Sequence, residues 1–263
     1  MSNDPNDPNH SSPNPFESPS QGAFEASHSE GEAVAQRTSL DYFGPFSQFF
    51  EHSNWTTNML LPALVLIIPI LGVMVVWGYM FEVIALQLTG KGERPYQGYS
   101  FDRFGEHLMR GLWFFLAMFC LGFVLSIPLI LVVFILQLVA QNAGGSIGAL
   151  LGLAIFFIQF GAQILINLVA MPAMIRVGLS KDFSEAFKFD FILDFVQKMW
   201  IDQVLVSLFL AISGMVVIAI GLVACCIGVY PAAILMMFVA TMLNMQLYQV
   251  YLHRGGQTVP INF

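Results

Sequence analysis

Long runs of apolar residues constrain the fold of this chain more than any other feature. Four blocks, at residues 55–89, 112–139, 148–171 and 201–252, are almost free of charged side chains. Each is long enough for at least one transmembrane helix, which needs about 20 consecutive apolar residues. The whole chain is only 10% charged, whereas a soluble domain carries about 25% charged residues to hydrate its surface. The sequence therefore predicts an all-α, polytopic transmembrane helical bundle with interfacial amphipathic helices.

The first block, residues 55–89, is too long for one straight crossing of a membrane. As a single helix it would extend about 52 Å at 1.5 Å per residue, against a hydrocarbon core of about 30 Å. Pro62, Pro69, Gly72 and Gly78 interrupt it. It is either one kinked and tilted helix or a hairpin that turns between Pro69 and Gly72. The excess length and Pro69 favour the hairpin, which gives a bundle of about 5–6 membrane segments.

Amphipathic segments join the apolar blocks. Residues 101–111 alternate apolar and charged side chains with helical spacing and predict a helix that continues into the span at 112–139. In 181–200 the apolar residues of the two halves lie on opposite faces, which predicts two short interfacial helices with Asp190 as N-cap of the second. Aromatic residues between 42 and 55 predict another short helix in the membrane interface.

The basic residues divide the connecting loops into two classes. The loops at 140–147 and 226–231 contain no lysine or arginine. Because cytoplasmic loops are enriched in these residues, we expect the base-rich side, with the C-terminus, to be cytoplasmic and the membrane to be the inner (cytoplasmic) membrane of the cell. The nine bases on that side are Lys91, Arg94, Arg103, Arg110, Arg176, Lys181, Lys188, Lys198 and Arg254.

Three regions follow from these patterns. They are an acidic Asn/Pro/Ser-rich tail at 1–40, a helical membrane domain at 41–252 and a short C-terminal tail at 253–263. The composition of the first tail predicts disorder, because turn-forming and charged residues cannot bury a core. It has no basic segment followed by an apolar one, so we do not expect a cleavable signal peptide. A hairpin in the first block would place this tail in the cytoplasm.

Glu82 is the candidate site residue with the clearest physical reason, because it is an acid within an apolar block. Ionisable residues at membrane depth are usually paired and often functional. Glu82 lies near the end of its block, about 9–12 Å along the helix from residues 89–92. We expect an ion pair with a base of the cytoplasmic side, such as Arg110 or Arg176; a proton or ion site is the alternative.

Two stripes of polar side chains cross the later spans. Residues at i, i+4 and i+8, or at i, i+3 and i+7, share one helix face, so each stripe could line a polar pathway or hydrogen-bond to a neighbouring helix. Such hydrogen bonds contribute about 1 kcal/mol each, and packing is the interpretation that we favour. The stripes are Gln159, Gln163 and Asn167 in one span and Thr241, Asn244 and Tyr248 in another.

Small residues recur with helical spacing and predict faces for close helix packing, within the chain or between copies. The glycines that carry this prediction are Gly148, Gly152, Gly214, Gly221 and Gly228.

Sequence motifs for catalysis and for cofactors are absent. The five histidines have no ligand spacing, and there is no zinc-protease, nucleotide-loop, nucleophile-elbow or dinucleotide motif. We therefore expect no enzyme activity, no metal and no cofactor.

Several short motifs occur in a characteristic order, and in that order the chain resembles a family of bacterial polytopic membrane proteins known as domain of unknown function 4013. The resemblance covers residues 41–252. It implies a membrane location and no established activity, so it assigns no catalytic residue. The motifs are Trp55 before the first block, Pro69-Ile70, Gly78-Tyr79, Glu93-Arg94-Pro95, the segment 101–106, Arg110-Gly111-Leu112 and the segment 183–189.

Two functions remain open from the sequence. The amphipathic cytoplasmic segments favour a non-enzymatic scaffold or accessory subunit with a cytoplasmic interaction face. The alternative is a small transporter or channel that uses Glu82 and the two polar stripes. The expected partners are the lipid bilayer and a protein at the cytoplasmic face, with no nucleic acid, and a homo-oligomer is left open.

Overall fold

The computed structural model describes residues 37–223 and 228–262, and the regular structure in these ranges is entirely helical. Most of the tail predicted at 1–40 lies outside the described residues. Within these residues seven α-helices follow one another: α1 (Gly44–Glu51), α2 (Trp55–Leu66), α3 (Leu71–Leu88), α4 (Phe104–Ala143), α5 (Gly145–Ser180), α6 (Phe189–Val223) and α7 (Val229–His253). Short 3-10 helices, Phe101–Arg103 and Phe183–Phe187, precede α4 and α6.

Five of these helices, α3 to α7, are long and apolar enough to cross a membrane. The 12-residue helix α2 is a sixth, shorter apolar helix. The predicted all-α bundle of membrane segments is therefore confirmed, as is the break in the last block, where α6 ends at Val223 and α7 begins at Val229.

The first apolar block is broken and folds back on itself. Helix α2 ends at Leu66 and α3 begins at Leu71, after Ile70 with a φ of 64°. At the other end of the block, the side-chain amides of Gln48 and Gln87 both donate to the carbonyl oxygen of Pro95, at 2.9 and 2.7 Å. The start of α2 and the end of α3 therefore lie on the same side, which is the hairpin that the excess length predicted.

Helices α3 and α7 form the buried centre of the bundle. In their most apolar stretches 72% and 67% of the residues are buried, against 11%, 6% and 11% in α4, α5 and α6. Aromatic side chains join α1 to this centre, since Phe49 packs against Tyr96 and Phe238 with ring centroids 5.9 and 5.1 Å apart. The outer helices thus present wide apolar faces, which suit lipid or another apolar surface.

The connection between α4 and α5 is shorter than the loop predicted at 140–147. Helix α4 continues to Ala143 and α5 begins at Gly145, so that only Gly144 lies between them. Gly144 and Gly145 have φ values of 58° and 50°, a conformation that residues with a Cβ rarely adopt. Because the two glycines make the turn in so few residues, both helices extend further than the prediction allowed.

The segment 181–200 contains one short helix, not two. The 3-10 helix Phe183–Phe187 matches the first predicted helix, but α6 begins at Phe189 and continues without a break into the membrane span. Asp190 lies in the first turn of α6 and is not its N-cap; the carbonyl oxygen of Lys188 accepts the backbone N–H of Ile192 at 3.2 Å. No proline occurs in α6 to end the first turns, so the apolar residues that follow extend the helix.

Candidate functional site

Helices α3 and α4 approach each other closely at the polar end of the bundle, which is the end that carries Glu82, Arg103 and Arg110. A Cβ atom at Gly78 would collide with the backbone carbonyl of His107, and one at Gly111 with the backbone carbonyl of Met74. Such contact between helix backbones requires residues without side chains. It places Glu82, one turn after Gly78, directly beside the first turns of α4.

Glu82 is buried and is held by His107 of α4 and by Arg103, the residue just before α4. Its Oε2 lies 2.8 Å from Nε2 of His107, and its Oε1 forms an ion pair with the guanidinium of Arg103. Arg103 also contacts Glu106, with 3.0 Å between Nε and Oε2. A buried carboxylate requires such partners, because desolvation of an unpaired charge is costly. In this arrangement Glu82 ties α3 to the start of α4.

Glu82 is therefore paired with a base of the polar end, as expected, but that base is Arg103. The two bases that the sequence suggested, Arg110 and Arg176, have other partners. Nη2 of Arg110 donates to the backbone oxygen of Asn262 at 2.8 Å. Arg176 forms an ion pair with Glu185. Arg103 reaches Glu82 because the two helices approach so closely.

The segment after α7 packs against Arg110 and the end of α5. The backbone N–H of Asn262 donates to the carbonyl of Leu179 at 2.9 Å, and its side-chain amide donates to the carbonyl of Ser180 at 2.6 Å. The side chain of Arg110 is buried, and its Nη1 has no hydrogen-bond partner in the part of the chain that the structure describes. One face of a buried guanidinium is thus unsatisfied.

A cavity of about 520 Å³ lies next to this guanidinium, between the start of α4 and the end of α5. Lys181, which ends α5 with a φ of 56°, forms part of its wall. Burial, and after it the positive charge of Arg110, lowers the pKa of the Lys181 ammonium below its ordinary value. The cavity is lined by Glu82, Arg103, Gly105, Glu106, Met109, Arg110, Trp113 and Lys181.

The polar stripe of α7 faces the interior of the bundle. Thr241, Asn244 and Tyr248 are all buried. The hydroxyl of Tyr248 accepts the backbone N–H of Val259 at 2.8 Å, one turn before the hydroxyl of Tyr251 accepts that of Gln257 at 3.0 Å. Tyr248 and Tyr251 therefore hold the segment that follows α7, whereas the buried Oγ1 of Thr241 has no hydrogen-bond partner among the described residues.

The polar stripe of α5 faces the opposite way. Gln159, Gln163 and Asn167 are all exposed on the outer surface of the chain. The only hydrogen bond of their side chains within the described residues joins Nδ2 of Asn167 to the carbonyl of Gln163, at 2.9 Å. One stripe is buried and the other is exposed, so the two do not line a common pathway within this chain.

The glycines singled out in the sequence lie in different surroundings. A Cβ at Gly221 would be 2.7 Å from the carbonyl oxygen of Gly228, and one at Gly148 would be 2.8 Å from that of Ala140. At Gly214 the nearest atom is the methyl of Met236 at 3.8 Å, and at Gly152 nothing lies within 4 Å. The closest helix contacts use Gly78 and Gly111, which sequence reasoning missed although both lie one turn from an ionisable residue.

A second, open groove of about 830 Å³ lies at the same end of the bundle. It is bounded by α1, the connection between α3 and α4, and α7. The side-chain oxygen of Gln249 is buried there and has no hydrogen-bond partner among the residues described. Charged and amide side chains line the groove, including Arg37, Asp41, Glu51, Gln87, Arg94 and Gln246.

Comparison with known proteins places the chain in a family. The model of a family described as "Protein of unknown function (DUF4013)" matches residues 61–229, from the middle of α2 to the first residue of α7. No curated protein and no solved structure matches the chain. The matched range contains the ion pair of Glu82, the cavity beside Arg110 and the exposed stripe of α5.

Proposed function

The chain belongs to the DUF4013 family, and from this premise we propose that it is a non-enzymatic scaffold or accessory subunit of the inner (cytoplasmic) membrane of a bacterial cell. Its base-rich end and both termini lie in the cytoplasm. It binds a partner membrane protein through the outer face of α5, and the groove beside Gln249 offers a second contact to that partner's cytoplasmic part.

The exposed stripe of α5 is the observation that supports this proposal most directly. The side chains of Gln159, Gln163 and Asn167 point out of a span in which only 6% of the most apolar stretch is buried. In hydrocarbon an amide without a hydrogen-bond partner is unfavourable, because no water replaces the missing bond. A neighbouring helix that carries polar groups satisfies such amides, at about 1 kcal/mol each.

The arrangement of polar groups also favours a scaffold over a transporter. A transport pathway would need polar side chains from several spans around one path. Here the stripe of α5 is exposed, that of α7 is buried, and Glu82 is engaged by Arg103 and His107. Glu82 thus serves as a tie between α3 and the start of α4, which is a structural role.

Purification of the full chain from its native membranes in mild detergents tests the proposal. We expect a stoichiometric partner to be recovered with the wild type and largely lost from the double variant Gln159→Leu, Gln163→Leu. Gln141→Leu, at an exposed amide near the end of α4, is the matched control and should keep the partner. Recovery of the wild type alone in several detergents would contradict the proposal.

The orientation has its own test, by labelling single cysteines with a membrane-impermeant reagent in a chain whose native cysteines are replaced. We expect cysteines at Thr38 and Lys188 to react only from the cytoplasmic side, and one at Ile70 only from the opposite side. Because the start of α2 and the end of α3 lie together, Thr38 and Lys188 should behave alike. Labelling of Thr38 and Lys188 from opposite sides would contradict the hairpin topology.

A further inference from the structure

We propose that the cavity between the start of α4 and the end of α5 binds the phosphate headgroup of an anionic phospholipid. Its lining combines basic side chains with exposed apolar ones at the point where α4 passes from charged to apolar sequence. This inference does not depend on the partner proposed for the α5 stripe, because none of Gln159, Gln163 and Asn167 lines the cavity.

The charges around the cavity leave two bases to receive an anion. Both acids of the lining, Glu82 and Glu106, are engaged by Arg103. Arg110 presents the buried Nη1 that lacks a partner among the described residues. Lys181 has no carboxylate at ion-pair distance in the described chain, and Glu106 and Glu82 attract it only from farther away.

Arg110 and Lys181 are the donors that a phosphate group requires. A guanidinium and an ammonium bind phosphate oxygens with charge-assisted hydrogen bonds, which are roughly twice as strong as neutral ones. Without an anion the two cations repel each other, and the charge of Arg110 adds to burial, the larger cause, in lowering the pKa of Lys181. A phosphate placed between them would relieve this repulsion and satisfy Nη1 of Arg110.

The apolar part of the lining selects a lipid over free phosphate. Met109 and Trp113, which line the cavity together with Arg110, are 53% and 40% exposed. Tryptophan prefers the boundary between headgroups and hydrocarbon. Beyond Trp113 the outer face of α4 continues with exposed Leu116 and Phe119. A ligand with its phosphate in the cavity therefore has an apolar surface on which to lay its acyl chains.

Native mass spectrometry of the full chain in detergent, titrated with phosphatidylglycerol, tests the site. We expect one phosphatidylglycerol to bind more tightly than phosphatidylcholine, and Lys181→Gln to weaken that binding about tenfold. Trp113→Ala should weaken it by a smaller factor. Lys188→Gln removes the same charge from an exposed position outside the cavity and should leave binding unchanged. Arg110 is not varied, because it also holds Asn262.

Three results would overturn the inference. One is equal binding of phosphatidylglycerol by the Lys181→Gln and Lys188→Gln variants. Another is equal affinity of the wild type for phosphatidylglycerol and phosphatidylcholine. The third is displacement of phosphatidylglycerol by millimolar inorganic phosphate, which would mean that the cavity takes free phosphate and the apolar face contributes nothing.

Discussion

Helices α3 and α7 and helices α4, α5 and α6 make up two contrasting regions of this bundle. The inner pair has the lower mean hydropathies, 1.7 and 1.4, and the larger buried shares, 72% and 67%. The outer three have mean hydropathies of 3.0, 2.2 and 2.6, and buried shares of 11%, 6% and 11%. In a soluble protein the most apolar elements are inside. Here that order is reversed, which is the distribution expected when the surroundings are as apolar as the side chains.

The contrast extends to the polar side chains. Several of those in the inner region are tied within the chain, as Glu82 is to His107 and Tyr248 is to the backbone of Val259, although Oγ1 of Thr241 and Oε1 of Gln249 have no hydrogen-bond partner among the described residues. The three side chains of the α5 stripe, Gln159, Gln163 and Asn167, point outward and find no hydrogen-bond partner in another element of the described chain. Because helices in lipid associate through small and polar residues and not through apolar area, the inner region holds the fold together, and the outer stripe is the face through which we propose that the chain binds another protein.

The largest loss of stability should come from placing a bulky residue in the inner region. Gly78→Leu would force α3 and α4 apart, because a Cβ there already collides with the backbone of His107. We expect a loss of about 3 kcal/mol in the free energy of unfolding, measured by SDS-induced unfolding in micelles. Gly122→Leu in α4, where nothing lies within 4 Å of a Cβ, is the control. Equal stability of the two variants would mean that the close approach is not real.

An intermediate effect should come from the ion pair that links the two regions. Breaking a fully buried pair costs roughly 3–5 kcal/mol, but the Arg103 side chain is 42% exposed, so we expect Glu82→Gln to cost about 2 kcal/mol. The same unfolding assay measures it. A double-mutant cycle with Arg103→Gln should show coupling between the two positions; strictly additive effects would exclude the pair as a tie between helices.

The sequence shows where the spans lie but not which of them are inside. The apolar runs, the break near Pro69 and the gathering of basic residues at one end follow from length, proline and charge, and all three could be predicted. The identity of Glu82's partner could not, because several bases lie at that end. Arg103 reaches Glu82 because the backbones of α3 and α4 meet at Gly78 and Gly111. Helical spacing in the sequence does not reveal that contact.

The two polar stripes also show what the sequence alone does not predict. Spacing correctly assigns Gln159, Gln163 and Asn167 to one face, and does the same for the stripe of α7. Whether a face is buried depends on the neighbour that packs against it, and that is a property of the tertiary structure. The loop between α4 and α5 is shorter than the predicted 140–147 for a local reason. Gly144 and Gly145 both have positive φ and make the turn, so that only Gly144 lies between the two helices.

The smallest effect is expected at the surface of the polar end. Hydrogen bonds from Ser184, the first from its backbone N–H at 2.8 Å, lower the pKa of the exposed Asp182 carboxyl. A lowered pKa in the folded state stabilises the protein above the ordinary aspartate pKa, and this contribution is lost as the pH falls through the lowered value. Asp182→Asn keeps the acceptor, so its stability should fall slightly below that of the wild type at neutral pH.

Measuring the stability difference between the wild type and Asp182→Asn as a function of pH checks whether the charge of Asp182 stabilises the protein. The two proteins should differ above the ordinary aspartate pKa and converge as the solution becomes more acidic. A difference that grows on acidification would contradict the assignment of Asp182 as the charged cap of the 3-10 helix Phe183–Phe187.

Site-specific photo-cross-linking in native membranes tests the proposed role of the outer stripe most directly. A photoreactive amino acid at position 163 should give a discrete adduct with a partner protein. The same group at Leu165, at nearly the same depth on another exposed face of α5, should give mainly lipid adducts. If position 163 yields only lipid adducts, as position 165 does, the outer stripe has no protein partner and the proposed scaffold function is wrong.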